Sequence, residues 1–343
     1  MEVQSLSICV PGKCVNNCAY CVSQMHESPY QDRVKTELIE YTYSTPAELP
    51  RALKDYYKRL KFGRDNGTNS IVITGSCEPL QHKSFLRMFA SLNGMLPSPY
   101  LSIDLQTTGV FLTDANLDWL RDEIGVTTIA LSIADIFDRQ RNFDLQVVPE
   151  KLRFNIVDLC DKIREKGFTL RLCLNLTDVY KDCPPENLFA AAHQMGAEQL
   201  VLRQMFAETG GTTEKDNWIR EHALPVEPLI TVNYMTGEKR PVSWVFQHAS
   251  ELIGNPCSIV HGERRGDKGL TVWDINGYIR ERGKALDILP YGATRYSVHG
   301  MSTVLDDSCM AQNNGTKQTL RYLVLREDGR LYSRWDDISS LLF

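Results

Sequence analysis

The sequence predicts an α/β fold: a partial (β/α)6 barrel of the TIM type, followed by a C-terminal α+β extension. Two observations support this prediction. Over residues 1–210, six short apolar runs alternate with segments of helical character, and such alternation implies a parallel sheet with right-handed crossovers. Beyond residue 210 the alternation is lost. A partial barrel would carry its active site at the C-terminal ends of the strands, whereas an open doubly wound sheet fits the same pattern.

The strands are predicted from apolar runs that turn residues bound. In the first strand, Leu6, Ile8 and Val10 alternate with polar residues, which is the period-two pattern of a strand. The second strand contains the continuous run Ile71-Val72-Ile73, as expected for a strand that is buried on both faces. The six predicted strands cover residues 6–10, 69–74, 100–106, 127–133, 168–174 and 199–203.

The helices between these strands are predicted from caps and breakers. Thr45 and Glu48 form the pattern of a capping box, with Pro46 at the first helical position. Thr113 is a favourable N-cap for a later helix, and Gly167 is a stop signal for another. The predicted helices cover residues 45–62, 83–96, 114–123, 149–166 and 185–195.

The last third of the chain is predicted to extend the barrel. Its mixed short runs follow no regular period, but residues 319–334 have the pattern of a hairpin with Asp328-Gly329 as its turn. The sequence therefore predicts two parts, a barrel with an N-terminal cysteine loop over residues 1–210 and an extension over residues 211–343. We expect the extension to cover the barrel and to contribute to a substrate pocket.

The composition is that of an ordinary globular protein. The 343 residues are 43% hydrophobic and 24% charged, with a formal net charge of −5. This charge argues against a general polyanion-binding surface and leaves room for a local basic pocket. No apolar run approaches the roughly 18 residues of a membrane span, and no signal peptide precedes the first strand. Ten cysteines without disulfide-like spacing indicate a reducing compartment, so the sequence predicts a cytoplasmic protein with no membrane partner.

Three cysteines lie together directly after the first strand. Cys14, Cys18 and Cys21 have the spacing C-x3-C-x2-C, so their thiolates can converge on one metal centre. Cysteine thiolates are the usual ligands of a [4Fe–4S] cluster, and three of them would leave one of its irons open. Two other interpretations are a zinc site completed by His26 and three unrelated buried thiols.

This spacing, with Tyr20 just before the last cysteine, resembles the radical S-adenosylmethionine (SAM) superfamily. The resemblance implies that the amino and carboxylate groups of SAM chelate the open iron. An electron from the cluster would then cleave SAM and yield a 5′-deoxyadenosyl radical. The resemblance favours the partial barrel over the doubly wound sheet, and it implies two cofactors, one [4Fe–4S] cluster and SAM. The remaining cysteines are scattered and predict no second cluster.

The resemblance also implies SAM contacts in the turn after the second strand. Gly75, Ser76 and Glu78 lie in a segment similar to the superfamily's glycine-rich motif, whose backbone binds the SAM amino group. Such a turn needs small residues, because the backbone must approach the ligand closely. Ser76-Cys77 stand where glycines are commonest in the superfamily. A plain strand-to-helix turn is the alternative interpretation of this segment.

Further SAM contacts are implied at the ends of later strands. Ser132 and Asn175 occupy the positions from which superfamily members reach the ribose, and Arg203 is placed to pair with the SAM carboxylate. Tyr20 is expected to contact the adenine largely through its backbone. Ordinary turn-forming roles for Ser132 and Asn175, and a structural ion pair for Arg203, are the alternatives.

Together these features predict a radical SAM enzyme that abstracts hydrogen from a small-molecule or nucleotide substrate. The implied partners are that substrate and an electron donor such as flavodoxin or ferredoxin. The net charge of −5 argues against a nucleic acid as a partner. Two alternatives stay open at this point. One is an iron–sulfur or zinc binding module without catalysis, and the other is a radical SAM enzyme that acts on a peptide or RNA. The residues that catalyse the step on the substrate are not identified by the sequence.

Overall fold

The fold is known from a computed structural model, in which most of the predicted site is described. The structure describes residues 2–21, 23, 44–207, 210–226, 230–232, 239–241, 269–289, 293–306, 319–326, 329–335 and 338–342. His26, the alternative zinc ligand, and Asp328 of the predicted hairpin turn lie outside these residues.

Thirteen strands are described, and the first six agree with the six predicted from the sequence to within four residues at each end. They are β1 (Glu2–Val10), β2 (Ser70–Gly75), β3 (Ser102–Thr107), β4 (Thr128–Ile133), β5 (Thr169–Leu176), β6 (Gln199–Gln204), β7 (Ile230–Val232), β8 (Lys239–Pro241), β9 (Lys284–Ile288), β10 (Thr294–Val298), β11 (Met301–Asp306), β12 (Thr319–Leu325) and β13 (Leu331–Tyr332).

Eight α-helices are described, most of them between consecutive strands. They are α1 (Arg51–Asp65), α2 (Lys83–Gly94), α3 (Asp114–Trp119), α4 (Arg139–Leu145), α5 (Ile156–Glu165), α6 (Pro185–Gln194), α7 (Glu214–His222) and α8 (Val272–Arg282). The Thr113 side chain caps α3 as predicted, by accepting a hydrogen bond from the Asn116 backbone N–H.

Eleven of the strands form one sheet in the order β13-β12-β1-β2-β3-β4-β5-β6-β11-β10-β9. Neighbouring strands from β12 through β1 and β6 to β11 pair in parallel. The strands β1 to β6 lie in sequence order, without the reversal that marks a doubly wound sheet. The predicted mostly parallel α/β architecture is therefore confirmed, and the sheet is not closed.

The two faces of this sheet differ in chemistry. Side chains such as Ile8, Leu131 and Leu172 point to the helices and belong to one continuous apolar core. Successive residues of a strand point to opposite faces, so the other face, which we call the inner face, carries the alternating set. This set includes Asp104 and Arg171, which pair with each other across the sheet. The inner face of β3 to β6 is therefore the polar side of the sheet.

Two helix predictions were wrong in their details, and prolines and caps explain both. The first helix begins at Arg51, after Pro50, and residues 46–48 form a turn instead. A proline inside a helix lacks an N–H and its ring clashes with the carbonyl four residues earlier, so Pro50 disfavours a helix that starts at Pro46. The helix predicted over residues 149–166 begins only at Ile156, where the Asn155 side chain accepts a hydrogen bond from the Val157 N–H.

The C-terminal third adds strands to both edges of the six-strand sheet. β11 pairs in parallel with β6, and β12 pairs in parallel with β1. The predicted hairpin is confirmed, since β12 and β13 are antiparallel neighbours. The division of the chain at residue 210, and a covering role for the extension, stay predictions. In the described part of the chain, no helix has the length and apolar character required to cross a bilayer.

Candidate active site

The predicted site residues lie on one side of the sheet, at the C-terminal ends of its parallel strands. The three cysteines follow β1, the Gly75 turn ends β2, and Ser132, Asn175 and Arg203 lie near the C-terminal ends of β4, β5 and β6. Because these strands are parallel neighbours, their C-terminal ends meet along the same edge. The backbone register places Asn175 directly opposite Arg203. The topology therefore brings the sequence-predicted residues together.

The three cysteine thiols are electrostatic neighbours of one another. Burial raises the pKa of the Cys14 thiol to about 11, and the nearby charges of Glu78 and Cys21 contribute to the rise. Burial also raises the pKa of Cys18 well above its usual range, and Cys21, Glu78 and Cys14 add to the effect. The backbone N–H of Asn16 donates to Cys14 Sγ at 3.4 Å. Three sulfurs of the loop and the Glu78 carboxylate are therefore neighbours in a partly buried environment.

The donor type of the loop fits an iron–sulfur cluster. Cys14, Cys18 and Cys21 influence one another's pKa values, so the three sulfurs are neighbours. Cysteine thiolates are the usual ligands of such a cluster. Among the residues that the structure describes, no three His, Cys, Asp or Glu side chains form a group that could hold a single metal ion.

Gln81 and Asn16 hold the cysteine loop in place. The Gln81 side chain accepts a hydrogen bond from the Val15 N–H at 2.8 Å and donates to the Lys13 carbonyl at 3.0 Å. These two contacts flank Cys14 on either side. Asn16 Nδ2 donates to Thr108 Oγ1 at 2.9 Å in a buried contact. The loop is therefore tied both to the segment after β2 and to the end of β3.

Glu78 connects the ends of β2 and β3. Its carboxylate accepts hydrogen bonds from Thr107 Oγ1 at 2.5 Å, from Thr108 Oγ1 at 2.7 Å and from the Thr108 N–H at 3.1 Å. Burial raises the pKa of this carboxyl, and the hydrogen bonds from Thr107 and Thr108 oppose the rise. Both oxygens are thus engaged within the protein. The part of this turn that is suited to meet a ligand is its backbone around Gly75 and Ser76.

Gly75 is required by close packing against β1. Its φ of +149° is strained for other residues, and a Cβ at this position would lie 2.5 Å from the Val10 nitrogen and 2.6 Å from its carbonyl oxygen. The Cys77 thiol, which follows in the turn, contacts the Pro11 carbonyl at 3.2 Å. Gly75 and Cys77 therefore both pack this turn against the end of β1 and the start of the cysteine loop.

Tyr20, a residue of the cysteine loop, is buried near Asn175 of β5. Burial raises the pKa of its hydroxyl well above the usual range, and the nearby amides of Gln146 and Asn175 oppose the rise. No hydrogen bond of ordinary length and angle to the Tyr20 hydroxyl is formed within the described structure. The Tyr20 ring lies 5.8 Å from the Trp218 ring, centroid to centroid. Its side chain therefore packs on α7 while its polar atom stays unsatisfied.

Arg203 pairs with Asp306, a residue that the sequence analysis missed. Arg203 Nε lies 3.8 Å from Asp306 Oδ2, and the register places the two residues opposite each other on β6 and β11. Arg203 Nε itself has no hydrogen-bond partner among the described residues. No strand was predicted at β11, so no sequence signal could place Asp306 beside Arg203. Gln81 and Lys215 were missed for the same reason, because only the fold brings them to the cysteine loop.

Several buried polar atoms near the C-terminal ends of the strands have no hydrogen-bond partner among the described residues, and three of them belong to the cysteine loop or to Arg203. These three are Asn16 Oδ1, the Tyr20 hydroxyl and Arg203 Nε. Buried polar atoms in native proteins are nearly always hydrogen-bonded, so such a group points to a ligand that completes the site. One atom accepts hydrogen bonds and two donate them. The residues therefore fit a ligand that carries both donors and acceptors, such as an amino acid or a nucleoside.

No protein-family model matches the chain, and no curated protein is similar to it in sequence. Among solved structures, the chain is similar to HemN from Escherichia coli, a coproporphyrinogen III oxidase described as a radical SAM enzyme. The identity is 10%, the match covers 87% of this chain and 67% of that chain, and the TM-score is 0.41.

Two further structures have similar backbones. The anSMEcpe protein with bound AdoMet and the Cp18Cys peptide is 14% identical over 98% of this chain and 75% of that chain, with a TM-score of 0.46. The radical SAM methyltransferase TsrM from Kitasatospora setae, with cobalamin and a [4Fe–4S] cluster bound, is 15% identical over 58% of this chain and 36% of that chain, with a TM-score of 0.36.

Proposed function

We propose that this protein is a radical SAM enzyme. The observation that carries the proposal is the position of three buried polar atoms that form no hydrogen bond among the described residues, Asn16 Oδ1, Tyr20 OH and Arg203 Nε, in or near a loop with three neighbouring thiols. When bound, a [4Fe–4S] cluster and SAM would supply a 5′-deoxyadenosyl radical that abstracts hydrogen from a substrate. A site that only stored a metal would have no use for ligand-binding groups on several strand ends.

Each group of the chain has a distinct task in this proposal. Cys14, Cys18 and Cys21 hold the cluster as thiolates. The Arg203 guanidinium binds the SAM carboxylate, a charge-assisted contact for which its planar donors are suited. Asn175 lies opposite Arg203 in the register, where its amide reaches the ribose of the same ligand.

The glycine turn and two further residues complete the binding of SAM. The backbone of Gly75 and Ser76 binds the amino group, while Glu78 holds that turn to Thr108. Ser132 contacts the ribose from β4. Tyr20 borders the adenine from the cysteine loop, and burial of its ring helps to exclude water from the reaction.

For the substrate, we infer a small molecule or a nucleotide that lies on the inner face of the sheet. Support comes from the paired charges of Asp104 and Arg171 on that face, which are suited to polar groups of a small ligand. The protein would act in the cytoplasm and receive electrons from a donor such as flavodoxin or ferredoxin. A peptide substrate is the second candidate, since the structurally similar anSMEcpe holds a peptide.

The ligand assignment is tested by anaerobic reconstitution of a triple variant, Cys14→Ala, Cys18→Ala and Cys21→Ala. The wild type should bind roughly four irons per chain and should release 5′-deoxyadenosine from SAM after reduction. The triple variant should bind little iron. A matched control, Cys160→Ala with Cys183→Ala, removes two thiols outside the loop and should keep the cluster. Full iron content in the triple variant, or no 5′-deoxyadenosine from an intact cluster, contradicts the proposal.

A further inference from the structure

The side chain of Lys215 holds the cysteine loop from outside the barrel segment. Its ammonium group donates to the Cys18 carbonyl at 2.7 Å, to Asn17 Oδ1 at 3.0 Å and to the Asn17 carbonyl at 3.3 Å. An ammonium group has three donors and no acceptor, so one side chain uses its full capacity on two adjacent residues of the loop. Lys215 is about 200 residues away along the chain from both of them.

The Cys18 carbonyl is also bound from within the loop. The Cys21 N–H donates to this carbonyl at 3.2 Å, so the oxygen connects two of the three cysteines. A lysine on the same oxygen stabilises the turn that sets the distance between Cys18 and Cys21. Hydrogen bonds from a charged donor are stronger than neutral ones.

A capping box and a ring contact hold α7, the helix that carries Lys215. A capping box between Thr213 and Asp216 begins α7, and the Trp218 ring packs on Tyr20 of the cysteine loop at 5.8 Å. The Asp216 carboxylate accepts the Thr213 N–H at 3.1 Å and the Thr213 hydroxyl at 2.6 Å. Asp216, one of the two acidic residues next to Lys215 in the sequence, is therefore used to cap the helix. Within the described part of the chain, no carboxylate forms an ion pair with Lys215.

We propose that Lys215 is a positioning residue that fixes the cysteine loop and raises the reduction potential of the cluster it holds. The inference rests on the proposed function and adds a residue from outside the cysteine motif. A positive charge on the Cys18 carbonyl stabilises the state of the cluster that carries one more electron, because opposite charges attract most strongly at short distance and low dielectric. The same contacts restrict the motion of the loop before any metal binds.

The test compares Lys215→Met, which removes the charge, with Lys215→Arg, which keeps it. A matched control, Lys58→Met, removes an exposed lysine from α1, whose ion pair with Asp55 spans 3.6 Å. The first measurement is the midpoint potential of the reconstituted cluster without SAM, by a redox titration followed with electron paramagnetic resonance. The second is hydrogen exchange of amides 14–21 in the metal-free protein.

We expect Lys215→Met to lower the midpoint potential by about 59 mV, the shift that corresponds to a tenfold change for one electron. Its loop amides should exchange about tenfold faster. Lys215→Arg should recover most of the potential, and Lys58→Met should change neither quantity.

The outcomes separate this inference from the proposed function. If the wild type assembles its cluster and Lys215→Met shows an unchanged potential and unchanged exchange, the role of Lys215 is refuted while the function stands. If no cluster assembles in the wild type, both proposals fail. Faster exchange with an unchanged potential would refute the electrostatic role and leave Lys215 as a purely structural clamp.

Discussion

The two edges of the six-strand sheet are extended in the same way but with different chemistry. Beside β1, the added strand β12 is apolar on both faces. Leu323 joins the main core on the helix side, while Tyr322 and Val324 pack with Cys9 on the inner side. Beside β6, the added strand β11 places a carboxylate, Asp306, against Arg203. Both strands pair in parallel and come from the same third of the chain.

This difference shows that an added parallel strand serves a different purpose at each edge of the six-strand sheet. An exposed strand edge is open to wrong pairing, so β12 protects the strand that leads into the cysteine loop. β11 protects its edge too, and it also brings a charged residue into the candidate site. We therefore expect changes at the β12 edge to act on stability, and changes at the β11 edge to act on ligand binding.

The largest effect is expected from Leu323→Ala on β12. Leu323 is fully buried in the main core, and truncation of such a leucine costs about 2–5 kcal/mol of unfolding free energy. Urea unfolding of the metal-free protein measures this loss. Leu286→Ala on β9, where the leucine is 52% exposed, is the matched control and should leave the unfolding midpoint almost unchanged. An equally small effect at Leu323 would mean that the β12 edge does not carry stability.

Arg203→Ala should produce the next effect, and on binding instead of folding. Removal of a charge-assisted contact worth ~1.5–3 kcal/mol should weaken SAM affinity by roughly 10- to 150-fold. Calorimetry with the reconstituted protein under anaerobic conditions gives the dissociation constant. Arg295→Ala removes an arginine from an exposed ion pair with Asp287 and should bind SAM normally. An unchanged dissociation constant with intact iron content in Arg203→Ala would remove this residue from the SAM site.

Asp306→Asn should have the smallest effect, with the opposite sign. Asp306 competes for Arg203 with an anionic ligand, and weak ion pairs of this kind contribute ~0.2–1 kcal/mol. The substitution keeps the shape of the side chain and removes its negative charge, so SAM should bind about 1.4- to fivefold more tightly. The same calorimetric titration measures it. Weaker binding would indicate that Asp306 orients Arg203 for its ligand and does not compete with it.

Much of the fold could be predicted because its signals are local. β-branched apolar runs indicated the strands, as in Ile71-Val72-Ile73, and the C-x3-C-x2-C spacing indicated the loop of neighbouring cysteines. Where the local prediction was wrong, a competing local signal decided the structure. Pro50 moved the start of the first helix to Arg51, and Asn155 moved the start of another to Ile156.

The site was predictable only where a single strand carries the signal. Asn175 and Arg203 could be placed from their own strands, and the register confirms that they are neighbours. Glu78 could be assigned to its turn, but its hydrogen bonds to Thr107 and Thr108 depend on how β2 lies beside β3. The role of Glu78 as a connector between strand ends was therefore not visible in the sequence.

By itself the sequence determined the alternation of strands and helices, the three-cysteine loop and the position of each candidate residue within its own strand. These properties follow from side-chain periodicity and spacing, which act over a few residues. The tertiary structure alone decided that β11 and β12 take opposite edges of the sheet, that Asp306 meets Arg203 and that Lys215 reaches Cys18. Such contacts join residues 100 or more positions apart. Their partners are chosen by the pairing of strands and the packing of helices, which no local pattern encodes.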